Sequence, residues 1–244
     1  MPTVLLLRHG LTAMTGPVLA GRTPAVHLDE RGQAQAAAVA DRLAVLPLIA
    51  VRTSPLERCA ETARAVTRAQ RAAGRTVPQR TDRRLLECDY GDWTGRTIAS
   101  LTKDPLWPVV QAHPSGVTFP GGESMAAMAE RAVRAVRGVD AELAAAAGPD
   151  ALWVACSHGD VIKAILADAL GLHLDLFQRL VVDPCSVSAI RYTAGRPFVL
   201  GTNDTTGDLS RFVPPPPRKG SAGRRKRPAS SDATVGGGAG AGAV

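Results

Sequence analysis

Arg8 and His9 follow directly on the apolar run Val4-Leu5-Leu6-Leu7, and His158 follows Leu152-Trp153-Val154-Ala155-Cys156 with only Ser157 between. A third apolar run, Leu48-Ile49-Ala50-Val51, leads within a few residues to Arg58. Each run is short and apolar, the pattern of a strand buried on both faces in a parallel sheet. Ligands of open α/β sheets collect beyond the carboxyl ends of such strands. If the three strands are parallel and adjacent, two arginines and two histidines converge on one edge. Cations cost several kcal/mol each to desolvate without a partner, so a bound anion is needed to offset the cluster. Guanidinium forks match phosphate oxygens bidentately, and each charge-assisted bond is worth roughly 1.5–3 kcal/mol. A phosphoryl group is the natural occupant.

The intervening segments supply the elements that would hold these groups. Asp29 can cap a helix running to about Leu46, where Pro47 stops it. Ser54-Pro55-Leu56-Glu57 reads as a second helix start, with a capping hydroxyl, proline at the first helical position and Arg58 in the first turn. That helix is expected to stop at Gly74. Residues 81–95 carry glycines and mixed charge and read as a loop. Pro105, Pro108 and Pro114 break 96–120 into short helices, a segment expected to cover a site rather than build a core. Gly121-Gly122-Glu123-Ser124 opens the longest helix, and this region is expected to shape the pocket for the leaving group. Ser157 and Asp160 form a further capping pattern for a helix to about Leu170. Strands around Val187–Tyr192 and Phe198–Thr202 form a hairpin, which makes the sheet mixed.

The fold class is therefore α/β: a three-layer α/β/α sandwich with a mostly parallel, mixed central sheet. Residues 1–212 form one domain and 213–244 a disordered Pro/Arg/Gly-rich basic tail. The net charge of +7 belongs mainly to that tail, where Arg218, Lys219, Arg224, Arg225, Lys226 and Arg227 face Asp232 alone. A nucleic-acid partner is accordingly expected for the tail if anywhere, and a solvated extension is the better reading. Cys59, Cys88, Cys156 and Cys185 form no CxxC pair, which gives neither a zinc site nor a disulfide framework. No run approaches the ~20 apolar residues that span a bilayer, and a soluble cytoplasmic protein is expected. His27, His113 and His173 read as surface residues.

Four segments together resemble the histidine phosphatase superfamily, of phosphoglycerate mutase-like fold. They are Leu7-Arg8-His9-Gly10, the stretch from Ser54 to Ala63 around Arg58, the stretch from Glu87 to Gly95, and Ser157-His158-Gly159. They occur in the family's order and cover roughly residues 1–204. The resemblance implies that His9 attacks phosphorus and carries the phosphoryl group. It implies that Arg8, Arg58 and His158 hold the non-bridging oxygens. Glu87 would protonate the leaving oxygen and then activate water, with Asp89 and Asp92 as alternative acids. Gly10, Thr12, Thr15, Gly21 and Arg22 fall where the family's loop binds substrate. Leu11 and Thr15 stand where many members have an acidic residue and an asparagine. No metal or other cofactor is called for.

The activity this implies is metal-independent hydrolysis of a small-molecule phosphomonoester through a phosphohistidine. A phosphomutase is the alternative enzyme, and a phospho-ligand-binding protein without turnover the alternative outside enzymes. Gly91-Asp92-Trp93 and Arg22 favour a phosphatase over a glycolytic mutase. The leaving group and the oligomeric state are not legible.

Overall fold

A computed structural model describes residues 2–214. The basic tail, apart from its first two residues, lies outside the described residues. Six strands form one sheet: β1 (Thr3–Arg8), β2 (Leu48–Thr53), β3 (Gln79–Thr81), β4 (Leu152–Ser157), β5 (Val187–Tyr192) and β6 (Pro197–Asp204). Their order is β3-β2-β4-β1-β5-β6. The first four are parallel, and β5 and β6 add an antiparallel hairpin on the β1 side. The three strands expected to carry the cations are thus neighbours, with β4 between β1 and β2.

Helices cover both faces, and the two-residue alternation of the strands divides the core between them. Leu5 and Leu7 of β1, with Val154 and Cys156 of β4, pack beneath α1 (Glu30–Leu43) and α2 (Glu57–Ala72). Val4 and Leu6, with Trp153 and Ala155, face α5 (Met125–Ala147) and α6 (Gly159–Leu170). Two short helices, α3 (Ile98–Leu101) and α4 (Trp107–Ala112), lie in the connection before α5. Met125 and Met128 are core filling, as helical spacing suggests.

Several local expectations shift. Helix α1 begins after Asp29, whose carboxylate accepts from the Gly32 amide, but ends at Leu43 rather than Leu46. The buried Gln70 amide of α2 donates to the Leu43 and Leu46 carbonyls at 2.7 and 3.0 Å, satisfying the end of α1 without another helical turn. Ser54 does not cap α2, which starts at Glu57 with no side-chain cap. Its hydroxyl is taken instead by the buried His158. Nor does Ser157 cap α6: its hydroxyl donates to the Leu85 carbonyl at 2.8 Å. In both places a buried partner without access to water outcompetes a helix end. Strand β3, three residues at the sheet edge, gave no periodic signal.

The stretch 96–120 builds core rather than covering a site. Leu101, Val117 and Phe119 are buried on the α5/α6 side, where Trp93 stacks with Trp107 and meets Phe119 edge-on. Aromatic packing here outweighs the breaks that the prolines introduce.

Candidate active site

The β1–β4 ladder runs one residue past the end of β1, because the His9 amide donates to the Ser157 carbonyl at 3.1 Å. His9 is thereby held at the sheet edge. Its loop is then pinned from the α1/α2 side. The Gly10 amide donates to Thr62 Oγ1, which itself bonds to the Arg58 carbonyl one turn earlier on α2. A Cβ on Gly10 would lie 2.6 Å from the Gly32 carbonyl oxygen, and one on Gly32 would lie 2.0 Å from the Leu11 carbonyl oxygen. Glycine at both positions lets α1 touch the backbone that carries His9.

A cavity of about 410 Å³ opens at this edge, lined by Arg8, His9, Thr12, Thr15, Gly21, Arg58, Glu87, Tyr90, Asp160 and Lys163 among others. His9 Nδ1 lies 2.7 Å from the Gly10 carbonyl oxygen. A carbonyl only accepts, so Nδ1 carries the proton and Nε2 keeps its lone pair. Burial, and then the charge of Arg58, push the His9 pKa down to about 3, which keeps the ring neutral.

Arg58 donates to the Gly21 carbonyl at 2.7 Å, and Arg8 to the Val182 carbonyl at 2.7 Å. These bonds fix each fork while leaving Arg58 Nε and Nη1 and Arg8 Nε buried without a partner among the described residues. Buried donors without acceptors are rare because each forfeits its hydration. Gly21 has a left-handed φ of +50°, and the turn it allows aims its carbonyl at Arg58.

His158 is fully buried beneath this layer, its ring edge-on to His9 at 5.3 Å between centroids. Its Nε2 lies 2.8 Å from Ser54 Oγ and its Nδ1 3.4 Å from Arg58 Nη2. Burial, followed by the charge of Arg58, holds it well below the ordinary histidine range.

Glu87 faces the same cavity. Burial, and then the neighbouring Asp160 carboxylate, push its pKa up to about 7, against the Cys88 amide bond and the charges of Arg58 and Arg8. Tyr90 donates to Asp160 Oδ2 at 2.7 Å. Asp89 and Asp92 do not line the cavity. Asp89 pairs with Arg22 at 3.0 Å, and Asp92 lies against Gly121. The arrangement therefore offers an unprotonated imidazole nitrogen, a set of buried cationic donors and a carboxyl poised to gain or lose a proton.

The structure brings Arg8, His9, Arg58, Glu87, Thr12, Thr15 and Gly21 to this cavity, with His158 directly below. Thr12 and Thr15 bond to each other at 2.9 Å between hydroxyls. Two residues expected to bind substrate lie elsewhere. Gly10 faces α1, and Arg22 is spent on the Glu87 carbonyl, Asp89 and Glu123. The Gly121–Ser124 stretch and residues 96–120 are also absent from the wall, whose far side comes from Gln178 to Asp183. That segment carried no chemical motif. Ser54 and Asp160 gave only capping signals, and their roles beside His158 and Glu87 arise from long-range packing.

The sequence profile of the histidine phosphatase superfamily (branch 1) matches residues 4–205. A protein named probable phosphoglycerate mutase GpmB, from Klebsiella pneumoniae subsp. pneumoniae, is 31% identical over 219 residues, covering 88% of this chain and 97% of its own. A mycobacterial glucosyl-3-phosphoglycerate phosphatase structure superposes with a TM-score of 0.71 at 27% identity, over 83% of this chain and 98% of that one. Bacillus stearothermophilus YhfR gives 0.73 at 28% identity, over 84% and 98%. No helix among the described residues is long and apolar enough to cross a membrane. With its profile match spanning the sheet and every element around the cavity, the chain belongs to the histidine phosphatase superfamily.

Proposed function

We propose that the protein hydrolyses a small-molecule phosphomonoester through a covalent phosphohistidine on His9. The observation that carries this reading is the tautomer of His9. The Gly10 carbonyl accepts from Nδ1–H, leaving Nε2 as a neutral nucleophile on the cavity wall beside donors of Arg8 and Arg58 that have no partner among the described residues. In the first step the Nε2 lone pair forms an N–P bond and the ester P–O bond breaks. The departing oxygen takes the proton of the Glu87 carboxyl. In the second step the Glu87 carboxylate takes a proton from water, the water oxygen bonds to phosphorus, and the N–P bond breaks. Phosphate leaves, and His9 is again neutral. Arg8 and Arg58 stabilise the charge that builds on the non-bridging oxygens. His158, neutral and fully buried, supports the His9 ring and the Arg58 fork from below.

A phosphomutase is the second reading, favoured by the names of the curated relatives. It differs only in the acceptor: a second hydroxyl of the organic ligand replaces water. The neighbouring phosphatase structure supports hydrolysis.

The test is phosphate release from a panel of phosphomonoesters in the presence of a chelator, comparing wild type with His9→Ala. Uncatalysed hydrolysis of such esters is among the slowest reactions known, so background cannot imitate turnover. Release that vanishes in His9→Ala is expected. No release from any ester by folded protein overturns the hydrolase reading, and transfer dependent on a bisphosphorylated primer would establish the mutase in its place.

A further inference from the structure

Glu87 approaches the cavity on a segment that two guanidinium groups grip by its backbone. Its carbonyl accepts from Arg22 Nε at 2.9 Å and from Arg131 Nη2 at 3.0 Å. Arg131, on α5, also donates to the Arg84 and Leu86 carbonyls, each at 2.8 Å, and so takes three carbonyls of one turn. Both arginines meet on a single carboxylate. Glu123 Oε1 lies 2.8 Å from Arg22 Nη2, 2.6 Å from Arg131 Nη2 and 2.9 Å from the Asp89 amide. Its other oxygen accepts from Arg131 Nε at 3.1 Å.

The glycines around Glu123 make this convergence possible. A Cβ on Gly122 would lie 2.2 Å from the Asp89 carbonyl oxygen, and one on Gly91 would lie 2.1 Å from that of Pro120. Only two bare backbones pass this closely, and the passage carries Glu123 under the acid-bearing loop. Burial alone would raise the Glu123 carboxyl, but the bonds from Arg131 and the Asp89 amide hold it below its ordinary range. It is therefore ionised at neutral pH, as a carboxylate holding two cations must be. None of Arg22, Glu123 and Arg131 lines the cavity; their polar atoms are turned to the main chain of the acid-bearing loop, to Asp89 and to one another.

We infer that Arg22, Glu123 and Arg131 are positioning residues that hold Glu87 for proton transfer, with Glu123 as the keystone. This rests on the phosphohistidine reading and extends it. Arg22 and the Gly-Gly-Glu-Ser stretch then act on the acid rather than on the leaving group. The bonds are made to the main chain of Glu87, so its carboxyl stays free for proton transfer while its Cα is fixed from two sides. Arginine suits this task because one planar fork spans a carbonyl and a carboxylate at once.

The experiment compares two esters that differ in their need for a proton. p-Nitrophenyl phosphate loses a stable phenolate and needs little help from an acid, whereas glycerol phosphate loses an alkoxide and needs a full proton. General-acid catalysis is worth roughly 100- to 10,000-fold, and loosening the acid forfeits part of it. In Glu123→Gln, kcat/KM for glycerol phosphate is expected to fall about tenfold or more beyond any fall for p-nitrophenyl phosphate. Glu87→Gln should show the same selectivity, more strongly. Arg22→Lys, which keeps the charge but loses the fork, provides a second variant should Glu123→Gln fail to fold by circular dichroism. An equal fall on both esters, or no fall on either, overturns the inference. Folded wild type without His9-dependent turnover of any ester in the panel would bring down the phosphohistidine reading instead, so the two failures are distinguishable.

Discussion

The closest backbone approach near the site yields a sharp prediction from a single methyl group. In Gly32→Ala the new Cβ would sit 2.0 Å from the Leu11 carbonyl oxygen and 2.8 Å from both the Leu11 carbonyl carbon and amide nitrogen. Ordinary contact begins at 3.4 Å, so α1 and the loop after His9 must separate by about 1.4 Å. The obstacle is backbone and cannot rotate away. Two effects then compete. Alanine gains up to about 1 kcal/mol over glycine in a helix, while overpacking of this kind costs roughly 1–3 kcal/mol. A net loss of stability is expected, and a displacement of about 1 Å beside a nucleophile can cost roughly 100-fold in rate. Gly138→Ala on α5 is the control, because a Cβ there meets nothing within 4 Å. It should gain close to the full helical preference, a melting temperature about 2–4 °C higher, with turnover unchanged. Thermal melting and kcat on one ester decide the matter. If Gly32→Ala melts higher than wild type and turns over at the wild-type rate, the reasoning about this contact is refuted.

Further expectations concern the acid and the scaffold. In the proposed mechanism Glu87 donates only when protonated, so kcat/KM for an alkyl phosphate should hold level up to its pKa of about 7 and then fall about tenfold per pH unit. His9, neutral above about 3, supplies no limb in that range. A profile still level near pH 9 would count against Glu87 as the acid. Removing the charge of Asp160 in Asp160→Asn takes away one of the causes that hold Glu87 up, and the limb should move to lower pH; a shift upward, or none, would show that the pair is not coupled. Gln70→Leu removes three buried or part-buried hydrogen bonds, one to each of the Leu43 and Leu46 carbonyls, which keep their backbone amide donors, and one from Arg75 Nε to the Gln70 side-chain carbonyl oxygen. It should cost roughly 2–3 kcal/mol in urea unfolding with catalysis per folded molecule intact, and a change within about 0.5 kcal/mol would refute that accounting.

What could be read from the sequence follows physical range. Apolar runs four or five residues long located β1, β2 and β4 because a strand buried on both faces leaves no choice of residue type. Their polar endings then named Arg8, His9, Arg58 and His158. Polar residues whose partners lie far along the chain were misread. Ser54 and Ser157 carry the local signature of helix caps, yet each hydroxyl is drawn to a buried partner more than 70 residues distant. Arg22 carried a charge suited to a phosphorylated ligand, and nothing local revealed that Asp89 and Glu123 would claim it. The prolines of 96–120 correctly implied irregular backbone but said nothing of the aromatic cluster that buries it. The wall from Gln178 to Asp183 is set by where α6 ends and the chain turns back toward β5.

The strand order also has a consequence for how the protein comes into being. Strand β4 lies between β1 and β2, although it enters the chain about a hundred residues after β2. On a ribosome adding about 5–20 residues per second, the first two strands emerge several seconds before the one that must separate them. During that interval the strands that lead to Arg8, His9 and Arg58 lack the β4 that joins them, and the two guanidinium groups are not yet gathered at one cavity. The late strand brings its own histidine with it, so the desolvation of the two guanidinium groups and the closure of the sheet coincide. Such long-range pairing is expected to make folding slow. Anionic ligands that bind only the closed sheet should then favour the completed fold by mass action. On the proposed reading, phosphate would in this way act on the protein's maturation as well as on its chemistry.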